Sequence, residues 1–299
     1  MLRSSFRLAI LTAVLSALGG CGMVVMDPSG DIARRQADLI VISTLLMLII
    51  IVPVIALTVF FAWRYRDQNI SAEYEPDWDH STRLELLIWG APLLIIIVLG
   101  LITWISTHTL EPTRPLDRLE AGSPVPEGVE PLEIRVVALD WKWLFIYPEQ
   151  NVATINQLVI PVDVPVRFDI TASTVMNSFY IPALAGQIYA MPGMENSLNA
   201  VLNEPGTFEG FSANYSGAGF SDMRFRMEGV TDAGFQAWVR DMQNDPDTLD
   251  SAAYLILEQP SVRHEVERFG RVEQGLYDAI VKRCIGEHAV CNSNLMGMH

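Results

Sequence analysis

Two long uncharged apolar stretches constrain what this 299-residue chain can fold into. Residues 39–63 and 86–110 contain no Asp, Glu, Lys or Arg. At ~1.5 Å rise per residue, a helix over either stretch reaches roughly 37 Å, which exceeds the ~30 Å hydrocarbon core of a bilayer. Pro53 and Pro92 lie inside them and are tolerated, because neighbouring helices in a membrane can satisfy the freed carbonyls. The sequence therefore predicts a two-helix transmembrane hairpin.

The segment before the first stretch has the layout of a secretory signal. Arg3 and Arg7 precede an apolar run, and Leu18-Gly19-Gly20-Cys21 follows it. This pattern resembles the bacterial lipobox, in which the signal is cleaved before a cysteine that is then lipidated. We therefore expect a signal peptide over 1–20 and a lipid anchor at Cys21. The alternative is an uncleaved anchor helix with an incidental cysteine.

The charges between the two stretches predict the topology. The loop 64–85 carries Arg64, Arg66 and Arg83, and positively charged loops stay in the cytoplasm. A lipobox would place the segment 21–38 on the outer side. We therefore expect a multi-pass protein of the bacterial inner membrane, with everything after about residue 111 in the periplasm.

The exported part begins with a linker and continues as a β-domain. Residues 111–131 are rich in Pro, Gly and acidic side chains, which is typical of a linker. Apolar and polar residues then alternate over 132–136, 166–171 and 223–228, as they do in half-buried strands. We predict a β-sandwich or barrel over 132–229.

A C-terminal extension follows, and its pattern changes to a helical one. We expect a helical extension over 230–285, with helices capped by Asp232 and over 247–258 and 261–284. Residues 286–299 are predicted to form a flexible tail. The predicted fold class is a membrane-anchored α+β protein.

Charge and cysteine content exclude several classes. From residue 111 onward 13 Lys and Arg stand against 26 Asp and Glu, and the whole chain carries −15, so a nucleic-acid partner is excluded. Three cysteines are too few for a disulfide scaffold or a four-thiolate metal site. Cys284 and Cys291 would face an oxidising compartment and could form a disulfide.

Several motifs in the mature chain carry a family resemblance. They are LDWKW at 139–143, VMNSF at 175–179, QIYAM at 187–191 and NEPGT at 203–207. With the lipobox and the hairpin, they resemble subunit II of haem-copper respiratory oxidases, specifically of the cytochrome bo ubiquinol oxidase type. The resemblance implies a cupredoxin-like fold for the β-domain. It also implies that the C-terminal part resembles the aromatic-containing extension of quinol oxidases.

The resemblance also identifies the positions of a copper centre. Copper-bearing relatives bind a dinuclear centre through two His, two Cys, a Glu carbonyl and a Met. The corresponding positions here are Asn177, Ser212, Asn214, Ser216, Phe220 and Met223. Such a centre needs thiolate and imidazole ligands, which these residues lack. We therefore expect no metal site in this chain and a packing role for the retained Met223.

The resemblance gives Glu85 a candidate role in proton uptake. The matching glutamate of the family marks the cytoplasmic entrance of a proton channel into subunit I, and the match runs through 79–85 into Trp89. The alternative is an interfacial acid that stabilises a helix N-terminus. Trp141 and Trp143 are two residues apart, which predicts that both pack on one face of a strand.

The function implied by the resemblance is that of a non-redox subunit II in a proton-pumping ubiquinol oxidase. Quinol oxidation and oxygen reduction would occur in subunit I, which would hold the haems and one copper. This chain would bind no cofactor and supply no catalytic residue, and its partners would be subunits I, III and IV and the lipid bilayer. The alternatives are a copper-bearing subunit II of a cytochrome c oxidase and a free-standing membrane lipoprotein that serves as a binding module.

Overall fold

The computed structural model describes residues 23–71, 77–285 and 291. These residues fall into two units, one of residues 35–115 and the other of the described residues outside that range. The expected signal peptide, Cys21 and most of the tail after residue 285 lie outside the described residues.

The first unit is built from two long helices. Helix α1 is Asp31–Arg64 and α2 is Thr82–Thr109, and their mean hydropathies over the most apolar window are 3.1 and 2.6. Each helix begins several residues before its uncharged stretch, because polar turns outside the hydrocarbon remain helical. Both helices are long and apolar enough to cross a membrane.

The second unit is a sandwich of two sheets. Its strands are β1 (Arg118–Glu120), β2 (Ser123–Pro124), β3 (Leu132–Leu139), β4 (Lys142–Tyr147), β5 (Val152–Ile155), β6 (Gln157–Pro161), β7 (Pro165–Ala172), β8 (Asn177–Tyr180), β9 (Ile188–Ala190), β10 (Asn196–Val201), β11 (Gly206–Ser212), β12 (Arg224–Val230), β13 (Thr248–Leu249), β14 (Glu267–Phe269) and β15 (Arg271–Val272). The six-stranded sheet has the order β10-β7-β3-β4-β5-β14, and the five-stranded sheet has the order β6-β12-β11-β8-β9. The sandwich predicted from the alternating pattern is confirmed.

Aromatic rings fill the space between the two sheets. Trp143 and Phe145 project from β4 and meet Phe179 and Phe225 from the opposite sheet. The Phe179 and Phe225 rings stack with their centroids 5.4 Å apart. Burying rings of this size removes a large apolar area from water and so stabilises the sandwich.

The C-terminal extension covers the outer face of the six-stranded sheet. It contains α3 (Asp232–Gln243), α4 (Ser251–Leu257) and α5 (Leu276–Val281). Tyr254, Leu257 and Tyr277 of this extension pack against Leu144 and Ile146 of β4 in a second apolar cluster. All six residues of β4 are therefore buried, because the strand is covered on both faces.

Two predictions for this extension are wrong in detail. Residues 261–284 do not form one helix, because they contain β14 and β15 before the short α5. Gly275 has φ +80°, which is incompatible with a continuous α-helix through this position. Helix α3 is capped by the Thr231 hydroxyl, which accepts from the Gly234 amide at 3.2 Å, and Asp232 is its first residue.

The segment expected as a linker contains the β1–β2 hairpin, and the chain before α1 docks beside it. The Arg118 guanidinium donates to the buried Asp31 carboxylate at 2.9 Å. The Ser29 and Gly30 amides donate to the Ala183 carbonyl, and a Cβ at Gly30 would meet the Leu184 carbonyl oxygen at 2.6 Å. The start of α1 is thus bonded to the linker, and the residues just before it are bonded to the sandwich.

Replacing Gly210 by alanine tests the packing of the aromatic core. Gly210 pairs with Phe225 across β11 and β12, and the Phe225 ring lies over the glycine where a Cβ would overlap it. We expect Gly210→Ala to destabilise the sandwich by about 2 kcal/mol or more, because the ring must leave its rotamer. Thermal unfolding of the full chain in detergent measures this effect, with Gly206→Ala in the same strand as the control. Equal unfolding temperatures for the two variants would contradict the packing argument.

Candidate functional site

The positions that the family resemblance equates with copper ligands converge at one end of the five-stranded sheet. Asn177 begins β8 and Ser212 ends the adjacent β11. Asn214, Ser216 and Phe220 lie in the connection from β11 to β12, and Met223 ends it. We call residues 213–223 the ligand-position loop. Strand pairing therefore brings together residues that are far apart in sequence.

Two of the buried positions are hydrogen-bonded to each other. The Ser212 hydroxyl donates to the Asn177 side-chain oxygen at 3.0 Å, and both side chains are buried. The Asn177 amide nitrogen donates in turn to the Val175 carbonyl at 3.1 Å. The polar atoms at the centre of the site therefore satisfy one another with neutral hydrogen bonds.

The remaining positions are also held by neutral contacts. The Ser216 hydroxyl lies 4.0 Å from the sulfur of the fully buried Met223. The Asn214 amide donates to the Met176 carbonyl at 3.2 Å, and Phe220 packs edge-on against Tyr215. Within the described residues, no three His, Cys, Asp or Glu side chains are grouped to hold a metal ion.

Trp141 braces the ligand-position loop from outside the sheet. Its backbone has φ 65° in the turn between β3 and β4. The prediction that Trp141 shares a strand face with the fully buried Trp143 is therefore wrong. Its indole nitrogen donates to the Ser216 carbonyl at 3.0 Å, and its ring lies over Gly217 and Gly219, where any Cβ would crowd it. The two glycines are the sequence signal for this contact.

Lys142 anchors the C-terminal extension, a role that sequence reasoning missed. Its ammonium group donates to the Gln259 carbonyl at 2.8 Å and to the Ser261 hydroxyl at 2.6 Å. Burial lowers the pKa of Lys142, and the nearby Asp140 and Glu267 oppose that shift. Both hydrogen-bond acceptors, at Gln259 and Ser261, belong to the extension, so Lys142 joins β4 to this segment.

Glu85 lies in the first turn of α2 and pairs with a residue that the sequence did not single out. Its carboxylate is 2.8 Å from His80 Nδ1, and both side chains are about half exposed. His80 Nε2 lies 3.2 Å from the Thr82 hydroxyl. Glu85 and His80 therefore form a solvent-accessible pair of proton-binding groups at the start of the helix.

The two C-terminal cysteines are close together in the structure. Cys284 and Cys291 are joined as a disulfide across a Cα–Cα distance of 4.7 Å. The bond closes a short loop directly after α5. No redox chemistry is implied by this pairing.

Comparisons with known proteins decide the family. Residues 147–230 match the family model described as cytochrome c oxidase subunit II, periplasmic domain, and residues 243–288 match the COX aromatic rich motif. The cytochrome bo(3) ubiquinol oxidase subunit 2 of Pseudomonas putida is 47% identical over 90% of this chain and 83% of its own length. The ubiquinol oxidase subunit 2 of Acetobacter aceti is 48% identical over 93% of this chain and 88% of its own length. The chain belongs to the ubiquinol oxidase subunit 2 family.

A solved structure is similar to part of this chain. The periplasmic domain of subunit II of cytochrome oxidase from Bradyrhizobium japonicum is 25% identical, with a TM-score of 0.36 over 37% of this chain and 91% of that domain. As a ubiquinol oxidase subunit 2, the chain is a membrane-anchored protein with a cupredoxin-like sandwich. The aromatic rich motif covers the extension that packs on β4, including Tyr254 and Tyr277.

Proposed function

We propose that this chain is the copper-free, non-redox subunit II of a proton-pumping ubiquinol oxidase. Its relatives are named ubiquinol oxidase subunit 2, and the observation that carries the copper-free assignment is the buried Ser212–Asn177 hydrogen bond. Ubiquinol oxidation and oxygen reduction take place in subunit I, which holds the haems and one copper. This chain supplies structure and assembly, and it contacts subunits I, III and IV in the inner membrane.

The chemistry of the site supports this assignment. A dinuclear copper centre uses thiolate sulfur to share an electron and imidazole to complete each shell. Serine hydroxyls at 212 and 216 are hard and un-ionised, and the Phe220 ring has no lone pair to donate. Binding copper would also break the hydrogen bonds that satisfy Asn177 and Ser212. An oxidase that receives electrons from a membrane quinol has no need of a copper relay in its exported domain.

Oxygen uptake by the intact oxidase tests the proposal directly. The complex is purified through a tag on this chain and supplied with ubiquinol or, separately, with reduced cytochrome c. We expect uptake with ubiquinol only, and copper analysis should give one copper per complex. Uptake with reduced cytochrome c would contradict the copper-free assignment, and no uptake with either donor would favour a free-standing lipoprotein.

We further propose that Glu85 is the cytoplasmic entry point for protons on their way to subunit I. Its side chain is accessible to water, and His80 at 2.8 Å provides a second group that can exchange a proton with it. An acid at this place could instead serve only to stabilise the N-terminus of α2 through the helix dipole. The two roles differ in whether turnover or assembly depends on Glu85.

Substitution of Glu85 separates these roles. We expect Glu85→Gln to slow oxygen uptake by at least about tenfold while haem content and subunit composition stay unchanged, because the glutamine cannot carry a proton. Asp79→Asn is the matched control, since Asp79 is an exposed carboxylate of the same loop. Loss of the assembled complex in Glu85→Gln would point to a structural role, and turnover equal to that of Asp79→Asn would show that Glu85 does not admit protons.

The N-terminal processing completes the proposal. The lipobox supports removal of residues 1–20 and lipidation of Cys21, which places the sandwich on the periplasmic side. Intact-mass measurement of the chain from membranes should show a mature protein that begins at Cys21 and carries the added mass of acyl groups. Cys21→Ser should lack that mass. A wild-type chain that retains Met1 would contradict lipidation.

A further inference from the structure

Four consecutive apolar side chains are exposed shortly before α1. Met23, Val24, Val25 and Met26 are 68, 52, 40 and 38% exposed. Elsewhere in the described residues of the second unit, exposed large apolar side chains occur singly or in pairs. Single exposed apolar residues are ordinary on a soluble surface, whereas a contiguous group marks a surface that an apolar phase or a partner covers. We call residues 23–26 the N-terminal apolar turn.

The backbone of the N-terminal apolar turn is hydrogen-bonded within itself. Val24–Met26 form a short 3-10 helix, in which successive side chains point about a third of a revolution apart. The Met23 carbonyl accepts from the Met26 amide at 2.9 Å and from the Asp27 amide at 3.1 Å. These bonds lower the cost of moving the turn out of water, because fewer backbone groups lose a hydrogen bond. The turn therefore presents apolar side chains in several directions on a satisfied backbone.

The docking of the next residues gives the N-terminal apolar turn a defined position. The Ser29 and Gly30 amides each donate to the Ala183 carbonyl at 2.9 Å, and the Asn203 amide donates to the Ser29 carbonyl at 2.8 Å. Only two residues separate the turn from this docking point. Ser29 and Gly30 are buried there, whereas no residue of the turn's 3-10 helix is buried. The sandwich thus holds the chain beside the turn and leaves the apolar side chains of the turn uncovered.

The chain on both sides of the turn leads to the membrane. Helix α1 begins at Asp31 and its uncharged stretch begins at Leu39, which is ~12 Å further along the helix. The headgroup region adds roughly 5–7 Å to each side of the hydrocarbon core. Residues 27–30 can span up to ~13 Å, so the turn is tethered within reach of the headgroups. On the other side, Cys21 precedes Met23 by two residues, and its proposed lipid would lie in the same leaflet.

We propose that the N-terminal apolar turn inserts into the outer leaflet of the membrane, with phospholipid at the boundary of headgroups and acyl chains as its partner. Continuity with α1 on one side favours lipid as the occupant. The composition favours it too, because the turn has no aromatic or arginine side chain of the kind that anchors protein interfaces. Asp27 directly after the turn marks the return of the chain to water. This inference rests on the proposed export of the mature N-terminus.

Electron paramagnetic resonance of a nitroxide at position 25 tests the insertion. Val25→Cys is labelled in the intact oxidase, which is reconstituted in nanodiscs of phosphatidylethanolamine and phosphatidylglycerol. Power saturation then compares collisions with oxygen, which enters the bilayer, and with a neutral nickel chelate, which stays in water. We expect the oxygen-to-nickel ratio to be at least about fivefold higher than for Ile256→Cys, because a label in the leaflet is shielded from the chelate. Ile256 on α4 is 75% exposed and is the matched control. Labelled oxidase without either substitution gives the background of other thiols.

A charge placed in the turn provides a second measurement. Val24→Asp combined with Val25→Cys should lower the ratio to that of Ile256→Cys, because a carboxylate is costly in the leaflet. High nickel accessibility at Val25→Cys would overturn the proposal, and so would a ratio that Val24→Asp leaves unchanged. Low accessibility to both reagents would also overturn it, since it indicates cover by another subunit. Intact mass reads the lipid on Cys21 and oxygen uptake with ubiquinol reads the oxidase assignment, so a failure of either is distinguishable from a failure of insertion.

Discussion

Burial of β4 on both faces is the constraint on which the exported unit depends. One face of the strand supplies Trp143 and Phe145 to the aromatic core between the sheets. The other face supplies Leu144 and Ile146 to the cluster under the C-terminal extension. A strand with no solvated face cannot be left uncovered, so the extension is part of the fold and not an appendage. Lys142, at the start of the same strand, ties the extension down through its ammonium group.

The ligand-position loop and the strand ends beside it are held together by neutral hydrogen bonds. A serine and an asparagine, which the family resemblance equates with copper ligands, bond to each other and to the backbone. Trp141 adds a second support by packing over the loop glycines. The loop is therefore ordered by neutral contacts of short range.

The sequence predicted the features that depend on long patterns and missed those that depend on tertiary partners. The membrane-length helices and the sandwich follow from hydropathy and alternation over many residues. The convergence of Asn177 and Ser212 followed from motif order, which the family resemblance preserves. Strand β14 was missed because three residues carry no usable period, and it forms only where β5 offers an edge. Trp141 was misplaced for a similar reason, since a left-handed turn residue breaks the alternation that its spacing with Trp143 suggests.

The docking of residues 29–33 on the sandwich has a consequence for biosynthesis. The Asp31–Arg118 pair joins residues that are 87 apart in sequence, and Gly30 bridges to Leu202, far later in the chain. Ribosomes make the chain from its N-terminus, so residues 29–33 leave the ribosome long before Arg118 and Leu202 have been made. The amides of Ser29 and Gly30 and the Asp31 carboxylate therefore lack their native hydrogen-bond partners until the sandwich has folded. The N-terminal segment is thus made early but reaches its native contacts late, after the domain on which it docks has folded.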